Sequence, residues 1–212
     1  LRALSTGDDD EALNALEKAA LQTLDDRWRT ALEMERALLL ASKGASSEIV
    51  GEALEGVVAS PVADYEALGN AARIAEKMSL YDLEARVLER LADAALTPAD
   101  ATATLPEGKL WDGFERGEAS AAAYLWSAAL IREQLLDNPE GALDAVRRAQ
   151  RHSTSPMLAS EESRLLWALR RPGEALDALP EEAAPAWRSM VALAAGKDEE
   201  AEKQNPILHN EG

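Results

Sequence analysis

Cysteine is absent from this sequence of 212 residues, so neither a disulfide nor a thiolate contributes to its structure or chemistry. The absence leaves the redox compartment open, and we expect a cytoplasmic location slightly more than a periplasmic one. Long apolar runs are also missing, because no stretch approaches the roughly 18 consecutive apolar residues of a membrane-spanning helix. We therefore expect no membrane span.

Basic residues are scarce relative to acidic ones. The chain has 22 Lys and Arg against 39 Asp and Glu, which gives a net charge of −17. Nucleic acids and anionic membrane surfaces both attract a basic footprint on a protein. The charge therefore argues against nucleic acid as a partner.

Residues that favour strands are also few, since Val and Ile are sparse and there is a single Phe. Ala, Leu and Glu dominate instead, and these residues favour helices. The composition predicts an all-α fold.

Groups that carry catalysis or bind metals are poorly represented. The two histidines, His152 and His209, have no second ligand at the spacing of a metal site. No glycine-rich phosphate loop is present. Paired acids such as Glu181-Glu182 stand at expected helix starts, where the helix dipole favours negative charge. The sequence predicts no catalytic residue, no metal and no cofactor.

A short phrase does recur along the chain: a small or acidic residue, an alanine, then Leu or Arg, and an apolar residue three positions further on. Its alanines are Ala12, Ala53, Ala85, Ala142 and Ala175, with a weaker copy at Ala201. Two of the intervals, 32 and 33 residues, match the period of a helical-hairpin repeat. A small side chain at such a position allows a neighbouring helix to approach closely. We expect these alanines to be buried.

One stretch carries a more specific pattern. Tyr65, Leu68-Gly69 and Ala72 follow the aromatic-x2-Leu-Gly-x2-small order of a first repeat helix, and Ala85 and Ala92 stand seven residues apart ahead of Pro98. These residues resemble the tetratricopeptide repeat (TPR) family, in degenerate form. The resemblance implies an α-solenoid of antiparallel helix hairpins, with about twelve helices. The Lys and Asn set of the family's carboxylate-clamp members is not found.

The domain organisation follows from where the pattern lapses. We expect one TPR-like array over residues 1–204, or two sub-arrays, 1–96 and 119–204, joined by an irregular insert at 97–118, with a tail at 205–212. The insert is either a hinge or a divergent repeat, and the divergent repeat is favoured. Because the chain begins at Leu1 rather than Met, we expect it to be a piece of a longer protein.

Two features are candidates for partner contacts. Between residues 147 and 171 lie six arginines and two acids, so an acidic protein segment could bind there through bidentate arginine contacts. The arginines are Arg147, Arg148, Arg151, Arg164, Arg170 and Arg171. Helix-end electrostatics is the competing interpretation, and it explains all of them except Arg164. The second candidate is Trp111, which lies in the insert, whereas most other tryptophans are expected in packing between helices.

The TPR resemblance implies a non-catalytic scaffold or adaptor that binds a protein or peptide partner, rather than a small molecule. Two alternatives stay open at this stage. One is a regulatory or sensor domain of a signalling or transcription protein, and the other is an all-α enzyme that assembles distant acids into a site.

Overall fold

A computed structural model of the chain describes residues 9–97 and 116–204. In these ranges the backbone forms eleven α-helices and no strand, which confirms the predicted all-α class. The helices are α1 Asp9–Gln22, α2 Asp26–Ser42, α3 Ser47–Ala59, α4 Tyr65–Lys77, α5 Tyr81–Leu96, α6 Glu118–Gln134, α7 Pro139–Gln150, α8 Pro156–Ala168, α9 Pro172–Asp177, α10 Pro185–Ala194 and α11 Asp198–Gln204. Trp111, most of the predicted insert and the predicted tail lie outside the described residues.

Local sequence signals explain where most of these helices begin. Asp25 caps α2 by accepting hydrogen bonds from the N–H groups of Arg27 and Trp28, and Ser46 caps α3 in the same way. Proline opens α7, α8, α9 and α10, where its missing N–H costs nothing. One expected start is wrong: the helix after Ser60 begins at Tyr65, not at Pro61, because Asp64 supplies the cap.

One backbone turn recurs between paired helices. A residue with positive φ ends the first helix of each pair, at Gly44, Ser79, Asp137, Arg170 and Gly196, with φ between 49° and 74°. In four of the turns the next N–H reaches back five residues to a carbonyl in the helix, as in the hydrogen bond from Ala45 to Leu40. This pattern is a Schellman motif. The turn at Asp137 is longer by one residue, since Asn138 donates to Arg132.

The chain packs as two compact units, Leu1–Tyr124 and Leu125–Gly212. In the first unit, α2 pairs with α3 and α4 pairs with α5, while α2 also contacts α4 and α3 contacts α5. Each hairpin therefore lies against the next one, consistent with a TPR-like solenoid. The buried side chains between these helices include Val50, Leu54, Val57, Leu68, Val87 and Leu91.

In the second unit, α7 to α11 pack in order, each against the next along the chain. A buried hydroxyl repeats at an interval of 26 residues: Ser163 Oγ donates to the Ala175 carbonyl at 2.7 Å, and Ser189 Oγ donates to the Ala201 carbonyl at 3.0 Å. Trp167 and Trp187 also meet edge to face, with centroids 5.4 Å apart. The two hairpins α8–α9 and α10–α11 thus share one internal register.

The recurring alanines occupy the positions that the sequence predicts. Ala12, Ala53, Ala85, Ala142, Ala175 and Ala201 are each at most 2% exposed. They lie in α1, α3, α5, α7, α9 and α11, so the phrase marks every second helix. The prediction that they are buried is confirmed.

Candidate functional site

The predicted arginines all lie in the second unit. Arg147 and Arg148 occupy the last turn of α7, and Arg151 follows that helix. Arg164 lies on α8, while Arg170 and Arg171 form the turn between α8 and α9. Trp111, the other candidate from the sequence, is outside the described residues.

Arg164 is held by two glutamates. Its Nε donates to Glu161 Oε2 at 2.8 Å, and its terminal nitrogen contacts both Glu161 and Glu133. These hydrogen bonds, first with Glu161 and then with Glu133, raise the pKa of the Arg164 guanidinium. Its charge is therefore balanced within the unit.

Arg147 and Arg171 share a glutamate. Arg171 pairs with Glu174 at 2.6 Å, and Arg147 reaches Glu174 at 3.5 Å while its Nε donates to Glu162 at 2.7 Å. Arg171 first, and Arg147 after it, lower the pKa of the Glu174 carboxyl. Glu140 adds a further contact to Arg171 at 3.6 Å.

This arrangement changes the local charge that the sequence window shows. Glu133, Glu140 and Glu174 lie outside residues 147–171, yet each pairs with an arginine of that window. Within the part of the chain that the structure describes, Arg151 and Arg170 form no ion pair, and both are exposed. They are the arginines of the set best placed to meet another molecule.

A separate pocket of about 440 Å³ lies in the first unit. Its walls come from the first turn of α2, the segment between α3 and α4, the end of α5 and the residues just before α6. Three arginines and two aspartates line it, together with Tyr65 and smaller side chains; the charged residues are Arg27, Arg90, Arg116, Asp64 and Asp93. We call it the arginine pocket.

Two of these arginines are fixed by the surrounding backbone. Arg90 donates to the carbonyls of Val58 and Ser60, and so satisfies groups at the end of α3. The Arg116 guanidinium lies 4.9 Å from the centroid of the Tyr65 ring, a cation–π arrangement, and donates to the Thr97 carbonyl at 3.4 Å.

The remaining charged groups differ in how they are used. Tyr65 shares a hydroxyl hydrogen bond of 2.7 Å with Tyr124, which fixes the ring under Arg116. Asp64 accepts from the Ala67 N–H at 2.8 Å as the cap of α4. Arg27 is exposed and forms no ion pair among residues 9–97 and 116–204. It is the most available cation of the arginine pocket.

An exposed apolar patch lies beside the start of α2. Leu21 is 82% exposed, Leu24 is 97% exposed and Trp28 is 66% exposed. The expectation that most tryptophans pack between helices is wrong for Trp28. The buried positions of α2 include Thr30 and Met34, and Trp28 lies two residues before Thr30, on the opposite side of a helix with 3.6 residues per turn. That spacing is the sequence signal that would have found it.

Metal and membrane chemistry find no support in the residues that the structure covers. Over 9–97 and 116–204, no three or more His, Cys, Asp or Glu side chains are grouped to hold a metal ion. None of the helices found there is both long enough and apolar enough to span a membrane.

Comparisons with known proteins were made with the complete chain. No protein-family model matches it, and no curated protein does. A solved structure of PilF from Pseudomonas aeruginosa resembles the chain with 14% sequence identity and a TM-score of 0.41, covering 92% of this chain and 90% of PilF. Similarity at this level identifies no family and assigns no function.

Proposed function

We propose that this chain is a non-catalytic protein–protein interaction module, a scaffold or adaptor of a larger complex. The observation that carries the proposal is the apolar patch of Leu21, Leu24 and Trp28. Contiguous exposed apolar surface on a soluble protein marks an interaction site more often than isolated apolar residues do. Tryptophan is also the side chain most enriched among residues that dominate binding energy.

The position of Trp28 supports a role in binding rather than in folding. The core face of α2 consists of Thr30, Met34, Ala37 and Leu40, and Trp28 is not part of it. An indole that is two-thirds exposed gains little from the fold, but it gains most of its apolar burial if a partner covers it. Substituting Trp28 therefore tests binding without removing a core residue.

The predicted arginines and Trp111 remain proposed secondary contacts, toward an acidic segment of the partner. Arg151 and Arg170 are better test positions than Arg164. A glutamate at residue 164 would place a third acid beside Glu133 and Glu161 and would disturb the fold itself. Substitution of the two exposed arginines leaves the ion pairs of the second unit intact.

The experiment begins with isolation of proteins retained by the immobilised chain, followed by a titration with the purified, identified partner. Trp28→Ser should weaken binding by at least about tenfold, as expected for a central aromatic contact. Leu193→Ser is the matched control, since Leu193 is 57% exposed but lies on α10 in the second unit. It should leave the affinity unchanged.

The titration separates the proposed surfaces. If Arg151→Glu and Arg170→Glu weaken binding and Trp28→Ser does not, the apolar patch is not the main contact and the arginines are. If none of the four variants changes the affinity of a partner that the native chain binds, both surfaces are excluded. Turnover of a substrate by the chain would contradict the non-catalytic proposal as a whole.

A further inference from the structure

We infer that the arginine pocket of the first unit receives a carboxylate side chain from an acidic segment of the protein partner. The inference rests on the proposed function, because it specifies the chemistry of that partner. It concerns Arg27, Arg90 and Arg116, which converge on one concave site from three different parts of the unit. None of the three belongs to the arginine set predicted from the sequence.

The pocket has the dimensions of a side-chain binding site. A volume of about 440 Å³ lies within the roughly 300–1,000 Å³ that ligand pockets occupy. Its walls combine Pro61, Val62 and Ala63 with the Tyr65 ring, so the aliphatic part of a glutamate has apolar contacts available. The guanidinium groups supply charge around that apolar wall.

Donors remain available on these guanidinium groups. An arginine side chain has five N–H donors, and Arg116 uses one nitrogen on the Thr97 carbonyl while its plane rests near Tyr65. Arg90 is anchored to two carbonyls, so its charge has a fixed position. Prior fixation reduces the entropy that a ligand must remove on binding. Arg27 is left to close on the ligand from the exposed side.

The balance of charge favours a singly charged ligand. Asp64 and Asp93 share the pocket with the three arginines, so its ionisable groups sum to +1 at neutral pH. A carboxylate neutralises that excess, whereas a doubly charged phosphate would also meet repulsion from the two aspartates. Arg27 directly precedes Trp28, so a partner segment with an acid next to an apolar residue can engage the pocket and the apolar patch together.

The test is an NMR titration of the whole chain, using N-acetylglutamate as the probe and the side-chain Nε–H signals of the arginines as the readout. We expect saturable shifts at Arg27, Arg90 and Arg116, with a dissociation constant in the millimolar range that is typical of so small a ligand. N-acetylglutamine, which has the same shape without the charge, should produce no saturable shift.

Variants locate the binding event. Arg27→Gln should weaken N-acetylglutamate by about tenfold, the size expected from the loss of one charge-assisted contact. Arg151→Gln, at an exposed arginine of the second unit, should have no effect. Arg27→Gln removes no ion pair among the described residues, so we expect the variant to fold normally, and its amide spectrum checks this.

Three outcomes would overturn the inference. They are the absence of saturable shifts in the pocket arginines, equal binding of N-acetylglutamine, and tighter binding of inorganic phosphate than of N-acetylglutamate. Each leaves the proposed function testable on its own, because that function depends on Trp28 and an identified partner. If Trp28→Ser abolishes partner binding while the pocket ignores carboxylates, only the inference about the pocket fails.

Discussion

The Ser163 hydroxyl is expected to hold the end of helix α9 in place, and Ser163→Ala tests this. Ser163 is fully buried, and its Oγ donates to the Ala175 carbonyl at 2.7 Å. At that end of the short helix the Leu179 N–H donates to Leu176 rather than to Ala175. The hydroxyl from α8 is therefore the donor that satisfies this carbonyl.

The magnitude follows from two opposing effects. Loss of the donor leaves a buried carbonyl unsatisfied, which costs about 1–3 kcal/mol. Alanine has the better helix propensity, which returns up to about 0.5 kcal/mol. We expect Ser163→Ala to lower the free energy of unfolding by about 1–2 kcal/mol.

The assay is urea unfolding followed by far-UV circular dichroism and by tryptophan fluorescence, since coincident transitions justify a two-state treatment. Ser160→Ala is the matched control: Ser160 lies on the same helix and donates to the Pro156 carbonyl at 2.9 Å, but it is exposed. Water can replace that bond, so the control should stay within about 0.5 kcal/mol of the native chain. If the two variants were equally stable, the capping argument would be refuted.

Two further predictions concern packing and pH. Ala142→Leu should destabilise the chain by about 1–3 kcal/mol through overpacking, whereas Ala168→Leu on the exposed side of α8 should be near neutral in the same unfolding assay. Desolvation, and after it repulsion from Glu76, raises the pKa of Glu84, so its contribution to stability is present at acidic pH and is lost as the pH rises through the folded-state pKa. Glu84→Gln should therefore stabilise the chain at neutral pH, by about 0.5 kcal/mol given solvent screening. An equal gain at acidic pH, measured by the same unfolding assay, would contradict desolvation as the cause.

Local signals predicted much of the fold. Asp25 and Ser46 begin their helices as their side chains suggest, since capping depends only on nearby residues. The buried alanines, such as Ala142 and Ala175, were also predictable, because a small residue at a repeating position fits only a close helix contact. These features are written in residues a few positions apart.

The candidate sites depend on distant residues, and sequence could not pair them. Arg164 contacts Glu133, which lies 31 residues away, and Arg86 contacts Glu55 at the same separation. Such pairs form only once one helix lies against another from a neighbouring hairpin. For the same reason the charge of residues 147–171 suggested an unbalanced basic surface, although Glu133, Glu140 and Glu174 balance much of it.

The recurring left-handed turn has a consequence for how such a chain can change over time. Its geometry comes from backbone hydrogen bonds, and the residue at its corner varies from glycine to serine, aspartate and arginine. Because each hairpin bends in a way that does not depend on one side chain, a hairpin can be gained, lost or shortened while its neighbours keep their form. The hairpins α8–α9 and α10–α11, which repeat at 26 residues while other intervals are longer, show how far a repeat can be trimmed and still pack.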